Sequence, residues 1–311
     1  MPQGIKAQET LKFLSDVFET MRFKGTIFFS SELSAPWGVS LKQRDFPRFH
    51  IAMRGDCYLG VQGHSPQQIS EMDIFILPNG ASHWIADQTG SKKYASEEVI
   101  EACELSAPMF QHGETTHELM CGLVTFEQGL SHPILQALPP VITLKHIAED
   151  STPWRLITLI HEYIKLGGIQ RNPIVDKLAE ALFLTLLCQF LNENHEKYSF
   201  IRAVHHRQLR QALELIHHEP GKDWTLEELG KQIGMSKATL VRHFQEALGV
   251  APISYLNHWR RLKAYNALRY GEDSVEQIAL SLGFVSGRTL SRALVREFGL
   301  TPAEIRQLSQ N

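Results

Sequence analysis

Cysteine is scarce in this 311-residue chain: four residues, at positions 57, 103, 121 and 188, and no CxxC pair among them. Without a pairing pattern, reduced thiols in a cytoplasmic protein are the expectation. Long apolar runs are also missing. The longest, Ala181 to Leu187, is far shorter than the ~20 residues a membrane span needs, so no membrane partner is expected. The opening stretch MPQGIKAQETLKFLSDVF has no uninterrupted apolar core of the kind a signal peptide carries. A strong excess of one charge is absent as well, the net charge being −3. The halves differ, however: residues 1–204 carry −6 and residues 205–311 carry +3. A mildly basic C-terminal part is weak support for a polyanionic partner, and the placement of its arginines matters more. With 43% hydrophobic and 21% charged residues, the chain can bury substantial cores, and its length suggests about two domains.

What is present is a repeat. SKATLVRHFQEALGVAP (Ser236 to Pro252) returns without a gap, 50 residues later, as SGRTLSRALVREFGLTP (Ser286 to Pro302). Each copy reads as an amphipathic helix ended by glycine, with proline soon after. Upstream, TLEELGKQIGM (Thr225 to Met235) matches SVEQIALSLGF (Ser274 to Phe284). Each half is therefore a helix, a tight turn at Gly234 or Gly283, and a second helix. Thr225 and Ser274 suit the N-cap position, and the small residues Gly230 and Ala279 let the second helix approach the first. That is helix-turn-helix geometry, whose second helix can enter the major groove of DNA. Ile253 to Tyr270 reads as a long helix of ~27 Å joining the halves, suited to two recognition helices in successive groove turns.

Several motifs make the reading specific. They are WTLEEL from Trp224, GMS from Gly234, PxxYL from Pro252, WR at Trp259–Arg260, IAxxLGF from Ile278 and FGxTP from Phe298. Residues 207–306 thereby resemble the DNA-binding domain of the AraC/XylS family of bacterial transcription regulators. The resemblance implies double-stranded DNA and RNA polymerase as partners, with activation the commoner outcome. It places base contacts on Ser236, Lys237, Ala238, Val241, Arg242 and Gln245, and on Ser286, Gly287, Arg288, Ser291 and Arg292. Arg242 and Arg292 hold equivalent outward positions from which a guanidinium reaches guanine or phosphate. Arg296 reads as a solvated residue or a phosphate contact. Gly287 departs from the family pattern and is expected to weaken the start of its helix by up to ~1 kcal/mol. His205, His206, His217 and His218 are expected on a solvated helix surface.

The N-terminal part alternates short strands and turns: TIFF, RFHIAMR, CYLGV, DIFILP, SHWIA and ELMCGLVTF, between Gly25 and about Phe126. Asp73 to His83 ends in PxGxxH, which resembles the second motif of cupin barrels, although the HxH of the first motif is absent. Together with APWG from Ala35, FHxxxRG from Phe49, CGxxxF from Cys121 and LPP from Leu138, it resembles a cupin-like ligand-binding domain of the kind fused to AraC-family regulators. His50, His83 and Cys121 are the candidates for chemistry there. Two imidazoles and a thiolate suit zinc, with a position left for water or effector. The alternative is a histidine bonded to a backbone carbonyl and a cysteine buried as a small apolar residue. Cys57, Cys103 and Cys121 are also candidates for redox sensing, which requires a lowered thiol pKa. HGETTH (His112 to His117) lacks HExxH spacing and reads as loop.

After Pro140 the pattern turns helical. Thr152–Pro153 and Asn172–Pro173 open two helices, Gly167–Gly168 closes the first, and residues 192–199 read as a polar linker. Leu178, Leu182, Phe183, Leu186 and Phe190 form a wide apolar face, which packs either on the barrel or across a homodimer; the resemblance favours the dimer. The expected architecture is α+β. It comprises a cupin-like β-barrel over residues 1–145, a helical dimerisation segment and linker over 146–200, and an all-α double helix-turn-helix domain over 201–311. The expected function is a regulator whose barrel senses a small molecule, metal or oxidant. A metal-dependent cupin enzyme is disfavoured because no two-histidine, one-carboxylate set is visible. A constitutive DNA-binding protein is disfavoured by the ~200 residues preceding the DNA-binding part.

Overall fold

The structure, a computed structural model, describes residues 17, 19–20, 22–105, 107, 109–126, 138–167, 172–194 and 206–308. The predicted N-terminal helix (apart from Val17, Glu19 and Thr20), Gly168, most of the 192–199 linker and His205 lie outside them. The chain divides into two compact units, one over residues 23–125 and 139–190, the other formed mainly by 191–311.

Among the described residues the first unit holds ten strands: β1 (Lys24–Leu33), β2 (Gly38–Leu41), β3 (Arg48–Arg54), β4 (Cys57–Val61), β5 (Gln67–Ile69), β6 (Ile74–Leu77), β7 (His83–Ala86), β8 (Tyr94–Ala95), β9 (His117–Thr125) and β10 (Ile142–Leu144). They form two five-stranded sheets, ordered β1-β9-β3-β6-β10 and β5-β4-β7-β2-β8, the facing-sheet form of the cupin-like domain expected from sequence. All pairings are antiparallel except β2 with β8. Inward residues of both sheets, among them Leu33, Leu41, Leu59, Phe75, Ile85 and Leu119, make one core, as facing sheets with alternating side chains must. Six strands coincide with the sequence expectation. The short β2, β5, β8 and β10, two to four residues each, lack enough alternation to be read.

Helix α1 (Ser96–Glu104) follows β8, and α2 (Thr152–Gly167) and α3 (Pro173–Glu193) follow the sheets. Ser151 rather than Thr152 caps α2, its hydroxyl accepting from the Trp154 N–H at 3.3 Å. Asn172 caps α3 as expected, accepting from Ile174 and Val175. The apolar face of α3 does not support the dimer assignment. Leu182, Phe183, Leu186 and Phe190 are buried within this one chain and Leu178 is half-buried. Phe183 packs against Phe23 and Phe49, each at 6.4 Å between ring centroids. Four of the five stripe residues are thus covered within one chain, and Leu178 alone of them keeps part of its surface.

The second unit is helical: α4 (Arg207–His218), α5 (Leu226–Ile233), α6 (Lys237–Leu248), α7 (Pro252–Tyr270), α8 (Val275–Ser281), α9 (Gly287–Phe298) and α10 (Pro302–Gln307). Its starts are hydrogen-bonded. Thr225, Ser236, Ser274, Ser286 and Thr301 each accept from the backbone N–H three residues on, and Ser274 and Thr301 complete capping boxes. Gly234, Gly249 and Gly299 close α5, α6 and α9 in the left-handed conformation. Down the middle runs α7, burying Tyr255, Leu256, Trp259, Leu262, Tyr265 and Leu268. The Trp259–Arg260 motif serves this packing. Trp259 stacks on His217 at 3.9 Å, and Arg260 donates to the carbonyls of Pro220 and Lys222. His217 is therefore in the core and not on the expected solvated surface, while His206 and His218 are exposed.

Candidate functional site

The two halves of the helical unit present their second helices in the same way. In α6, Leu240, Phe244 and Ala247 are buried; Lys237, Ala238, Arg242 and Gln245 are exposed, with Val241 partly so. In α9, Leu290 and Leu294 are buried, Arg288 and Arg292 are exposed and Ser291 is partly exposed. Ser236 and Ser286 spend their hydroxyls on capping, bonded to the N–H of Thr239 and Thr289 at 3.2 and 3.3 Å. The Ser291 hydroxyl donates to the Gly287 carbonyl at 2.7 Å.

Gly287 differs from the other expected contact positions. It is buried, and its N–H donates to the Glu276 carboxylate at 2.7 Å. A Cβ built there would lie 2.7 Å from that same oxygen. The residue holds α9 against α8 and offers no surface to a base. Its counterpart Lys237 meets the equivalent carboxylate through its side chain, Nζ lying 2.7 Å from Glu227. That hydrogen bond holds the Glu227 carboxyl below its ordinary range.

Further along, the helices diverge in charge. Arg288, Arg292 and Arg296, spaced four apart and all exposed, make an arginine stripe on α9. The matching positions of α6 are Ala238, Arg242 and Glu246, and Arg242 approaches Glu246 at 4.0 Å. Three positive charges on one helix face attract phosphate; the other face is nearly neutral.

In the sheet unit the PxGxxH motif acts as the sequence implies. Gly80 has φ 58° and passes so close to the Arg44 and Phe46 carbonyls that a Cβ would clash at 2.3 and 2.4 Å. The turn delivers His83 to β7, opposite Leu41 and Val61. His50 on β3 lies opposite Cys121 on β9 and Phe75 on β6. Across the core, His50 Nε2 and His83 Nε2 meet at 3.0 Å. His83 Nδ1 donates to the Ala81 carbonyl at 2.7 Å, so its Nε2 is the acceptor and His50 Nε2 carries the proton. Burial depresses both imidazoles, His83 to about 4 and His50 well below its ordinary value.

The zinc expectation does not fit this arrangement. Among the described residues no three His, Cys, Asp or Glu side chains converge to hold a metal ion. Burial raises the Cys121 thiol far from its thiolate and Cys57 to about 12; Cys103, on α1, is raised too. None has the lowered pKa that redox sensing requires.

His50 and Cys121 instead border a narrow apolar cavity of about 20 Å³, close to the room a single water needs. Its other walls come from Phe28 and Phe29 on β1, Val39 and Leu41 on β2, Ile85, Leu119, Trp37, and Ser96, Val99 and Ile100 on α1. Sequence reading missed α1, although Glu97 and Glu98 in its first turn and Val99 with Cys103 at i,i+4 were legible signals. Among the described residues no helix is long and apolar enough to cross a membrane.

Comparison with known proteins finds a family match in each part of the chain. The family described as Cupin matches residues 13–191, and a helix-turn-helix domain family matches residues 229–308. The HTH-type transcriptional regulator AlkR of Acinetobacter baylyi is 26% identical over 311 residues, covering 95% of this chain and 99% of that one. The HTH-type transcriptional activator RhaS of Escherichia fergusonii is 41% identical over 81 residues, 26% of this chain and 29% of that one. Among solved structures, ToxT from Vibrio cholerae aligns over 93% of this chain and 98% of its own, at 11% identity and a TM-score of 0.38. With a cupin domain over more than half its length and a double helix-turn-helix behind it, the chain belongs to the cupin-bearing AraC-type transcription regulators; it is a DNA-binding regulator and not an enzyme.

Proposed function

We propose that the chain is a ligand-responsive transcription activator that reads DNA with α6 and α9 and takes its signal in the sheet unit. The observation that carries the DNA reading is the doubled motif, with two capped helices turning equivalent arginines, Arg242 and Arg292, to solvent. Activation is the reading because relatives such as RhaS are named activators, and RNA polymerase is then the further partner. The charge difference between the helices gives them different tasks. Helix α9, with its arginine stripe, supplies most of the phosphate attraction; α6, with Ala238, Val241 and Gln245, reads base edges by close contact.

The test uses operator sequences selected from a random duplex pool. Arg242→Ala and Arg292→Ala each weaken specific binding by about 1–3 kcal/mol while the fold is kept. Arg296→Ala lowers affinity for all sequences alike and reduces the salt slope by about 1. Unchanged operator affinity in both Arg242→Ala and Arg292→Ala would overturn the assignment of the two recognition helices.

Coupling between the sheet unit and DNA needs only about 1–3 kcal/mol of differential ligand affinity to give useful control. A homodimer would have to use a surface other than the α3 stripe. Leu159 and Leu166, seven residues apart on α2 and 38% and 85% exposed, offer one. Sedimentation of Leu166→Asp checks it: a dimer that persists moves the interface elsewhere.

A further inference from the structure

Both recognition helices pack on the same third element, α7. Helix α6 meets it through Phe244 and Tyr255, edge-on at 6.0 Å between ring centroids, and α9 through Phe298 and Tyr265, edge-on at 5.3 Å. The seat of α9 on α7 therefore sets how far its arginines stand from those of α6. Beside Phe298 the second half carries a charge that the first lacks. Glu297 stands there, and its counterpart in α6, 50 residues earlier, is the buried Ala247.

Local rules disfavour Glu297. It is the penultimate residue of α9, where the unpaired carbonyls of a helix end repel a carboxylate. It is also largely withdrawn from water, its side chain 20% exposed, whereas its neighbour Arg296 is exposed. Two residues of α7, one turn apart, compensate. His258 Nδ1 donates to one carboxylate oxygen and the Arg261 guanidinium pairs with the other, and their side chains are 17% and 13% exposed. Burial alone pushes the Glu297 carboxyl up, but His258 and Arg261 hold it below its ordinary range. An ion pair so placed adds little net stability, because desolvation offsets most of the attraction. It is demanding in geometry all the same. Two directional contacts on one carboxylate restrict the rotation and slide of α9 on α7 more closely than ring packing does.

Resting on the reading of α6 and α9 as the DNA-reading helices, we infer that Glu297 is a positioning residue. Clasped by His258 and Arg261, it fixes the offset between the two helices, and with it the number of base pairs an operator must place between their contacts.

The full-length protein on spacing variants of its operator tests this. The segment read by each helix is the one whose footprint is lost in Arg242→Ala or in Arg292→Ala, and the variants insert or remove one base pair between the two segments. Each base pair moves the target of α9 by about 3.4 Å along the duplex. Wild-type protein is expected to bind either variant about tenfold or more weakly, the cost of a misread base, and Glu297→Ala and Arg261→Met to lose about threefold or less. Should Glu297→Ala fail to fold, Glu297→Gln removes the charge and keeps the shape, and its spacing penalty is read instead. A folded variant that melts earlier yet keeps the whole wild-type penalty marks the clasp as a stabilising contact only, and overturns the inference. A variant unchanged in both melting and penalty overturns it too. Wild-type protein that accepts every spacing alike removes the two-helix reading itself, and the inference with it.

Discussion

Gly287 stands at the start of a helix, where propensity alone favours alanine by about 1 kcal/mol. In this fold that gain is opposed, because a methyl group would displace the Glu276 carboxylate that accepts the Gly287 N–H and would lie 3.3 Å from the Glu276 backbone nitrogen and from Val275 Cγ1. Gly287→Ala is expected to lower the thermal midpoint and weaken operator binding; a higher midpoint in calorimetry would contradict the close approach. His217 is a second residue whose behaviour its surroundings decide. Burial, with Lys263 and His218 adding to it, pushes its pKa from 6.5 to about 3. The folded unit keeps it neutral whereas the unfolded chain protonates it below 6.5, so folding is favoured above that value. The contribution is lost as pH falls from 6.5 towards 3, at up to about 1.4 kcal/mol per pH unit. Denaturant unfolding at about pH 7.5 and about pH 5.5 should therefore show a smaller pH dependence in His217→Phe than in the wild type. Equal dependence would place the titration elsewhere.

Among the elements, the helical unit was the more legible. Its cap residues, glycine stops and apolar spacing are local, so Thr225, Gly234, Ser236 and Gly249 mark their boundaries without help from the rest of the chain. Helix α3 shows the limit of that reading. Its pattern says that a wide face is buried but not what covers it. Because the sheet unit does so within one chain, Leu182→Ala is expected to destabilise that unit by about 2–5 kcal/mol and leave the sedimentation coefficient unchanged. A shift to smaller species without loss of stability would restore α3 as an interface. Helix α1 and the short strands went unread because two to nine residues carry too little periodicity against the turns around them.

For the whole molecule, the order of two units with different chemistry is what makes regulation possible: a cupin-like pair of sheets in one, an arginine-bearing double motif in the other. The sequence alone determined the repeat, the arginines at 242 and 292 and the histidines at 50 and 83, because a helix period, a cap or a short motif is complete within a few consecutive residues. The tertiary structure decided what those side chains meet. It set His50 against His83 across two sheets, 33 residues apart in sequence, with no third metal-binding side chain among the described residues. It also closed the cavity with an unforeseen helix, covered the α3 stripe and buried His217 on Trp259. Each of these is a contact between residues remote in the chain. Burial and partner identity, which fix whether a histidine binds metal or holds a proton, exist only once such contacts have formed.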